Sequence, residues 1–245
     1  MRALVRAPVR LLRMLVHVCR GLWIIHRRFP TMEQTAREAA VQVWSHTMLQ
    51  CLGVQVKVLG TVPQSGPVLM VANHISWLDI VVLHEARHCR FISKADIAHW
   101  PLVGSLATAA GTLYITRESR RDALRVVHHM AECLGQGDVL AVFPEGTTGD
   151  GSTVLPFHAN LLQAAISTDT PVVPIGLKFL NARTGETSFA PCYIGDDTLL
   201  GSVWRTLCAQ DIVAAVHFGQ AQRCDGRDRR VWASDLRDTV VALRG

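Results

Sequence analysis

From residue 54 onward the apolar and polar residues form two kinds of pattern: short apolar runs, and longer stretches with helical periodicity. The apolar runs predict seven β-strands, at 54–60, 67–73, 90–94, 112–116, 138–144, 171–179 and 212–219. The helical stretches that fall between several of these runs are 77–86, 99–110, 118–135 and 157–167. Nearly continuous apolar strands that alternate with helices indicate an α/β domain, with a mixed, largely parallel sheet flanked by helices.

The start of the chain has a pattern of its own, which predicts a helical hairpin. A first helix is broken at 28–30 by the sequence RFP, and TMEQ at 31–34 matches a capping box that opens a second helix. Gly53 provides the stop signal for that second helix. We therefore expect two parts in the chain, an amphipathic two-helix hairpin over 1–53 and an α/β domain over 54–245.

The first helix of this hairpin has a polar side made almost entirely of arginine. The basic residues recur at spacings of three and four, at Arg2, Arg6, Arg10, Arg13, His17 and Arg20. The opposite side carries Val5, Leu12, Leu15, Val16, Cys19, Leu22 and Trp23. A basic face without acids is typical of a helix that lies in the interface of an anionic membrane. The alternative is an ordinary amphipathic helix that packs on its own domain.

The net charge of +5 is concentrated in this same segment. Residues 1–30 hold seven arginines and no acid, so the rest of the chain is slightly acidic. A nucleic-acid-binding domain would spread its basic residues over a folded face, and we therefore expect no nucleic-acid partner. Seven scattered cysteines without a C-x-x-C pair favour a reducing compartment. Together these features predict association with the cytoplasmic face of the cell membrane.

The stretch VANHISWLDI, residues 71–80, places a histidine and an aspartate where a strand passes into a helix. If Ser76 caps that helix, Asp79 lies in its first turn and can reach back to the loop that carries His74. A carboxylate that accepts from one imidazole nitrogen makes the other nitrogen a better base. The alternative is that Asp79 only completes a capping box. Because no G-x-S-x-G motif or partnered cysteine nucleophile accompanies the pair, such a base would deprotonate a hydroxyl group of the substrate.

Further polar residues follow two other predicted strands. The loop FPEGTTGDG, residues 143–151, offers backbone N–H groups and hydroxyls to an anion or oxyanion through Gly146 and Thr147. Arg117 ends the run GTLYITR and could clamp a phosphate or a carboxylate. Taken alone, these features also fit a plain loop and a surface charge. Ligand sites in α/β folds lie beyond the carboxyl ends of strands, so we expect three strand ends to face one crevice.

Residues 84–88, HEARH, match the H-E-x-x-H zinc motif by letter. The motif ends a helix that begins near Trp77, and no third ligand is evident at the usual spacing. We therefore expect no metal site, with a metallopeptidase as the hypothesis that this motif leaves open.

Four sequence blocks between residues 73 and 176 resemble, in the same order, those of the glycerolipid acyltransferase family, in particular 1-acylglycerol-3-phosphate (lysophosphatidic acid) acyltransferases. NHISWLD matches the family's N-H-x-x-x-x-D block, GTLYITR its G-x-x-x-x-x-R block and FPEGT its F-P-E-G-T block, while VVPIG, with Pro174, matches the fourth. The resemblance covers the central half of the chain. It implies that His74 is the catalytic base and that Asp79 is its partner.

The resemblance also implies what the enzyme binds and transfers. The expected substrate-binding residues are Asn73, Lys94, Arg117, Glu145, Gly146 and Thr147. The implied reaction moves a fatty acyl group from acyl carrier protein or acyl-CoA to the free hydroxyl of a lysolipid, and the expected acceptor is 1-acylglycerol-3-phosphate, which would give phosphatidic acid. The thioester is a substrate of this reaction, and no cofactor is expected.

Two positions depart from the family pattern. Thr148 stands where the family usually has arginine after E-G-T, and Thr116 stands where aspartate often precedes the arginine of the second block. A missing cation beside the acceptor makes a lysolipid with another head group, such as lyso-ornithine lipid, a competing substrate. A non-catalytic module that binds the membrane surface is a further alternative.

Overall fold

The seven apolar runs form one mixed β-sheet in a computed structural model that describes residues 2–115 and 120–245. The strands are β1 (Val54–Gly60), β2 (Val68–Ala72), β3 (Arg90–Lys94), β4 (Leu113–Ile115), β5 (Val139–Val142), β6 (Val172–Asn181) and β7 (Ile212–Phe218). Their order in the sheet is β1-β7-β6-β2-β5-β3-β4. Neighbouring strands are parallel except for the antiparallel pair β6 and β7. The predicted fold class is confirmed.

Helices cover both faces of this sheet. The α-helices of the described residues are α1 (Arg2–Arg27), α2 (Gln34–Leu52), α3 (Leu78–Ala86), α4 (Val103–Ala109), α5 (Arg120–Gly135), α6 (Gln163–Ser167), α7 (Leu199–Cys208) and α8 (Arg229–Arg244). Short 3-10 turns occupy Phe29–Thr31, Ala95–His99 and Ala159–Leu162. The helices predicted at 99–110 and 157–167 are therefore shorter, and each follows a 3-10 turn. The sequence analysis did not predict α7 and α8.

Strand β2 lies near the centre of the sheet, and all five of its residues are buried. Because successive side chains of a strand point to opposite faces, Met70 and Ala72 pack into the core on one face while Leu69 and Val71 pack into the core on the other. Strands β2, β3, β4, β5 and β6 all run in the same direction. Their carboxyl ends therefore share one edge of the sheet, the edge at which His74 follows β2.

The predicted N-terminal hairpin is present as α1 and α2, which pack against each other, and Gly53 ends α2 in the left-handed conformation with φ 75°. The predicted capping box at 31–34 is wrong. Thr31 lies in the 3-10 turn that follows the break at Pro30, and its hydroxyl donates to the carbonyl of Arg28 at 3.0 Å. Helix α2 begins only at Gln34, without a side-chain cap. The division of the chain into parts at residue 53 stays a prediction.

The basic residues predicted to form one stripe along α1 do not all face the same environment. Arg10 donates to the carbonyls of Leu207 and Ala209, at 3.0 and 2.6 Å, and thereby caps the end of α7. The His17 Nε2–H donates to the Trp44 carbonyl at 2.9 Å, and burial lowers the pKa of this histidine. These two residues contact the protein, so the expectation that the whole stripe faces a membrane is wrong for them.

The apolar side of α1 is exposed. Its exposed apolar residues are Val9, Leu12, Leu15, Val16 and Trp23. Arg13 and Arg20 are also exposed beside them. No helix among the described residues is both long enough and apolar enough to cross a bilayer.

Candidate active site

His74 and Asp79 are in direct contact. His74 lies in the loop between β2 and α3, and Asp79 lies in the first turn of α3. The imidazole Nδ1 is 2.9 Å from Asp79 Oδ2, and the aspartate side chain is fully buried. Because the carboxylate accepts, Nδ1 carries the proton and Nε2 presents its lone pair. The His74 side chain remains 18% exposed, whereas that of Asp79 is fully buried.

The same aspartate oxygen also caps the helix. Asp79 Oδ2 accepts from the backbone N–H groups of Ile75 and Ser76, at 2.7 and 2.9 Å. In return, Ser76 Oγ accepts from the N–H of Leu78 at 3.2 Å. Helix α3 begins at Leu78, one residue later than a cap at Ser76 predicted, but the reciprocal bonds still hold the start of the helix. Asp79 is therefore both the partner of the imidazole and an acceptor for the N–H groups that lead into α3. Three N–H donors converge on one buried oxygen, which fixes the carboxylate before any substrate binds.

Glu145 holds the main chain of the histidine. Its Oε1 accepts from the backbone N–H of His74 and its Oε2 from that of Leu155, both at 2.7 Å. The N–H of Gly149 donates to the His74 carbonyl at 2.8 Å. Burial raises the pKa of Glu145, and this effect is opposed by the two N–H donors and by the charge of Arg244. The loop that follows β5 therefore binds both the backbone N–H and the carbonyl of His74.

Phe143, which ends the run before Glu145, lies flat against the imidazole. The two ring centroids are 3.9 Å apart, and the rings are within 8° of parallel. Phe143 in turn stacks on Phe91 of β3, with centroids 5.6 Å apart. The sequence analysis gave Phe143 no role. The available signal was its position near the carboxyl end of the predicted strand 138–144, where a ligand site was expected.

The remaining predicted site residues are placed in different ways. The amide of Asn73 is buried and forms two hydrogen bonds with the backbone of Leu177 in β6, so it faces the sheet interior. Lys94 is the exposed last residue of β3, at the same sheet edge as His74 with β5 between their strands. Gly146 has φ 73° and donates its N–H to Phe143, while Thr147 beside it is exposed. Arg117, the remaining predicted substrate-binding residue, lies outside the described residues.

The side chains of the H-E-x-x-H segment have separate partners. His84 is buried with its ring edge against Phe91, and burial, with a smaller effect of His88, lowers the pKa of His84 to about 3. His88 Nε2 donates to the Ala110 carbonyl at 3.3 Å. Glu85 bonds instead to His46 of α2 at 2.9 Å. Within residues 2–115 and 120–245, no group of three or more metal-ligating side chains is arranged around a common point.

Comparisons with known proteins agree with this architecture. Residues 53–178 match the family model described as Acyltransferase. The lyso-ornithine lipid O-acyltransferase of Pseudomonas aeruginosa is 36% identical, over 99% of this chain and 95% of its own length. The 1-acyl-sn-glycerol-3-phosphate acyltransferase of Neisseria meningitidis serogroup B is 31% identical, over 85% of this chain and 82% of its own length.

One solved structure has the same fold. The crystal structure of the 1-acyl-sn-glycerophosphate (LPA) acyltransferase PlsC from Thermotoga maritima superposes with a TM-score of 0.73. The match covers 100% of this chain and 97% of the other, at 20% sequence identity. At that identity the likeness establishes the architecture, including the two N-terminal helices.

Proposed function

This chain belongs to the acyltransferase family, and on that premise we propose that it transfers a fatty acyl group from an acyl thioester to the free hydroxyl of a lysolipid. The observation that carries the proposal is the 2.9 Å contact between His74 Nδ1 and Asp79. It leaves Nε2 of this partly exposed imidazole as the base, at the sheet edge where α/β proteins bind their ligands. In the proposed role, this base acts on a hydroxyl of the substrate.

The proposed reaction has two proton transfers and no covalent enzyme intermediate. His74 Nε2 takes the proton of the lysolipid hydroxyl while the oxygen attacks the thioester carbon. The tetrahedral intermediate collapses by breaking the carbon–sulfur bond, and the imidazolium returns the proton to the leaving thiolate. Asp79 stabilises the imidazolium formed between these steps. Neither a metal nor a cofactor takes part, and the thioester is carried by acyl carrier protein or by coenzyme A.

The loop after β5 has two proposed roles in this reaction. Glu145 holds the histidine main chain, as its two 2.7 Å hydrogen bonds indicate. The N–H groups of Gly146 and Gly149 already donate to backbone carbonyls of the protein. We therefore assign the oxyanion or head-group contact to the hydroxyl of the exposed Thr147 and to the cation of Lys94 at the same sheet edge.

We propose lyso-ornithine lipid as the acceptor. The relative with that acceptor in its name aligns along 99% of this chain. Thr148 stands where the family pattern has arginine, and its hydroxyl donates to the Tyr193 carbonyl, so this position brings no cation to the acceptor. An ornithine head group carries an ammonium and a carboxylate, and it needs fewer protein cations than a phosphate does. The proposed acceptor therefore differs from the one expected from the sequence, which was 1-acylglycerol-3-phosphate.

The second candidate acceptor is 1-acylglycerol-3-phosphate. The Neisseria meningitidis relative named for that acceptor is 31% identical over 85% of this chain, which supports keeping it. Lys94 could pair with its phosphate.

We also propose that α1 lies in the interface of an anionic membrane, on its cytoplasmic face. The exposed apolar residues of α1 support this, because a stripe of large apolar side chains on a surface helix favours burial in the acyl boundary. The exposed Arg13 and Arg20 would then meet anionic head groups. Such a placement brings the crevice near a substrate and a product that both reside in the bilayer.

The test uses the purified full chain with vesicles that contain one lysolipid at a time. Labelled acyl carrier protein and acyl-CoA thioesters are each offered with lyso-ornithine lipid and with 1-acylglycerol-3-phosphate. We expect kcat/KM to be at least about tenfold higher for lyso-ornithine lipid, a difference of about 1.4 kcal/mol, and His74→Gln to remove transfer to both acceptors. Preference for the phosphate acceptor would make the second candidate the substrate. A wild-type protein that transfers nothing to either lysolipid would support a binding module instead.

A further inference from the structure

The segment that connects β3 to α4 ends in an exposed apolar turn. All residues from 99 to 103 are exposed, and the last four of them are Trp100, Pro101, Leu102 and Val103. We refer to these four residues as the 100–103 turn. The sequence has no aspartate, glutamate, lysine or arginine from 97 to 116, so the turn lies in an uncharged stretch of the chain. Large apolar side chains that are exposed together mark a contact with another molecule or with a membrane.

The 100–103 turn holds a leucine in a conformation that leucine rarely adopts. Leu102 has φ 65° and ψ −52°, and the Val103 N–H donates to the Pro101 carbonyl at 2.7 Å. This is a γ-turn with a positive φ, the rare and strained form. Such strain is found mostly at functional positions. Because glycine adopts a positive φ without strain, a leucine at this position indicates that its side chain, which is 51% exposed, has a use.

The backbone behind the turn is closely packed. The Trp100 N–H donates to the Ile97 carbonyl at 3.1 Å, and the Gly104 N–H donates to the Trp100 carbonyl at 2.9 Å. Gly104 is buried, and a Cβ at this position would lie 2.2 Å from the carbonyl oxygen of Ala98. The turn is therefore supported by the protein on one side, and its apolar side chains are exposed on the other.

The turn lies beside the helix that we place at a membrane. Helix α4, which begins at Val103, packs against α1. The segment begins after Lys94, the exposed last residue of β3 at the sheet edge of His74. Tryptophan is enriched where a membrane meets water. Four residues supply only a small part of the roughly 800 Å² that each partner buries in a stable protein interface, so a bilayer suits the turn better than a protein does.

We propose that the 100–103 turn is a second point of membrane contact, which inserts Leu102 and Trp100 into the same anionic bilayer as α1. The inference rests on the proposed function, because it deepens the placement of α1 at a membrane. A single helix in the interface leaves the protein free to rotate about the helix axis, and a second contact beside it removes that freedom. Because the turn follows Lys94 by only a few residues, its insertion keeps the sheet edge of His74 close to the lipids.

Two measurements test the proposal on the full-length protein with vesicles of phosphatidylglycerol and phosphatidylcholine. In the first, lipids brominated in the acyl chain near the head group quench tryptophan emission, and wild type is compared with Trp100→Phe. In the second, co-sedimentation gives the partition coefficient of Leu102→Gly, which removes the side chain and permits the same turn. The control is Leu124→Ala, which shortens an exposed leucine of α5 on the opposite face of the sheet from α1.

We expect Leu102→Gly to lower the partition coefficient about three- to tenfold, because about half of a leucine side chain leaves water on insertion. Its thermal midpoint should not fall, since glycine relieves the strain of the turn. Leu124→Ala should bind vesicles as the wild type does. Trp100→Phe should lower the quenched fraction of the emission, because it removes a tryptophan that lies in the lipid.

Three outcomes would overturn the proposal. The quenched fraction could rise in Trp100→Phe, which would mean that Trp100 stays in water. Leu102→Gly could have the partition coefficient of the wild type. Sedimentation velocity could show a dimer that Leu102→Gly disperses, which would make a second copy of the chain the occupant. A wild type that transfers no acyl group but shows the expected quenching and partitioning would instead refute the proposed function and support the membrane contact, because neither measurement needs turnover.

Discussion

The backbone N–H of His74 donates to Glu145 Oε1 at 2.7 Å, across 71 residues of sequence. The carboxylate therefore binds the histidine through its main chain, and it leaves the imidazole to Asp79. Two loops that follow neighbouring parallel strands, β2 and β5, are joined by this bond. Because the imidazole is fixed by one acid and its main chain by another, the orientation of Nε2 depends on both.

Replacement of Asp79 by asparagine should reduce kcat more than it alters KM. An amide cannot stabilise the imidazolium as a carboxylate does, and such changes lower kcat by up to about 10⁴-fold in comparable pairs. The same change weakens a cap that accepts three N–H groups, so the free energy of unfolding should fall by about 1–3 kcal/mol. Steady-state kinetics and denaturant unfolding measure the two effects. Asp238→Asn, at an exposed aspartate, is the control; a D79N enzyme with the wild-type kcat would refute the role of this pair.

Loss of the Phe143 ring should make the position of the His74 imidazole less well defined. The Phe143→Leu variant removes a parallel stack with centroids 3.9 Å apart, and aromatic pairs contribute about 0.5–1.5 kcal/mol beyond their buried area. We expect a lower kcat together with a lower thermal midpoint. Phe189→Leu, at an exposed phenylalanine, should alter neither quantity. If the two variants have the same kcat, the stack contributes nothing to the placement of the base.

The buried His84 should make the protein less stable in acid. Its folded-state pKa of about 3 lies below the unfolded value of 6.5, so the unfolded state binds more protons between these two values. The contribution of neutral His84 to the free energy of unfolding is therefore fully present above about pH 6.5, and it is lost as the pH is lowered toward 3. Below pH 6.5 the loss from this group approaches about 1.4 kcal/mol for each pH unit.

Replacement of this histidine by leucine tests that assignment. Between pH 6.5 and 4, His84→Leu should lose about 3 kcal/mol less stability than the wild type does, as measured by urea unfolding at each pH. Burial also lowers the pKa of His88, so this histidine should account for part of the pH dependence of stability that remains. The control is His128→Leu, because that side chain is 80% exposed. Parallel pH dependences of His84→Leu and wild type would contradict the prediction.

Acidic residues placed on the apolar side of α1 should weaken membrane binding and leave acyl transfer in detergent intact. The double variant Leu12→Glu, Val16→Glu changes two exposed side chains one turn apart. Each buried apolar side chain of this size contributes about 1.5–3 kcal/mol to transfer out of water, so the fraction bound to anionic vesicles should fall at least about tenfold. Activity on lysolipid in detergent should persist. Vesicle co-sedimentation measures the binding, with Val231→Glu on α8 as the control; unaltered binding would refute the interfacial placement of α1.

Local patterns in the sequence predicted a large part of this structure. All seven strands occur where apolar runs predicted them, because a strand buried on both faces must be apolar almost throughout. The contact of His74 with Asp79 was also predicted, because helix capping permits it across five residues and the resemblance of the NHISWLD block favours it. Helices α7 and α8 were missed, although α8 buries Trp232, Leu236 and Val240 at helical spacing.

The sequence by itself therefore determined the strands, the hairpin of α1 and α2, and the histidine–aspartate pair, because each depends on residues close together in the chain. Only the tertiary structure decided which groups surround that pair. The bond from Glu145 to His74 and the stacking of Phe143 on its ring require β5 to lie beside β2. Strand order follows from how helices and strands pack in three dimensions, and no local periodicity records it. The same reason explains why Arg10, part of a uniform basic stripe in the sequence, caps α7 in the folded chain.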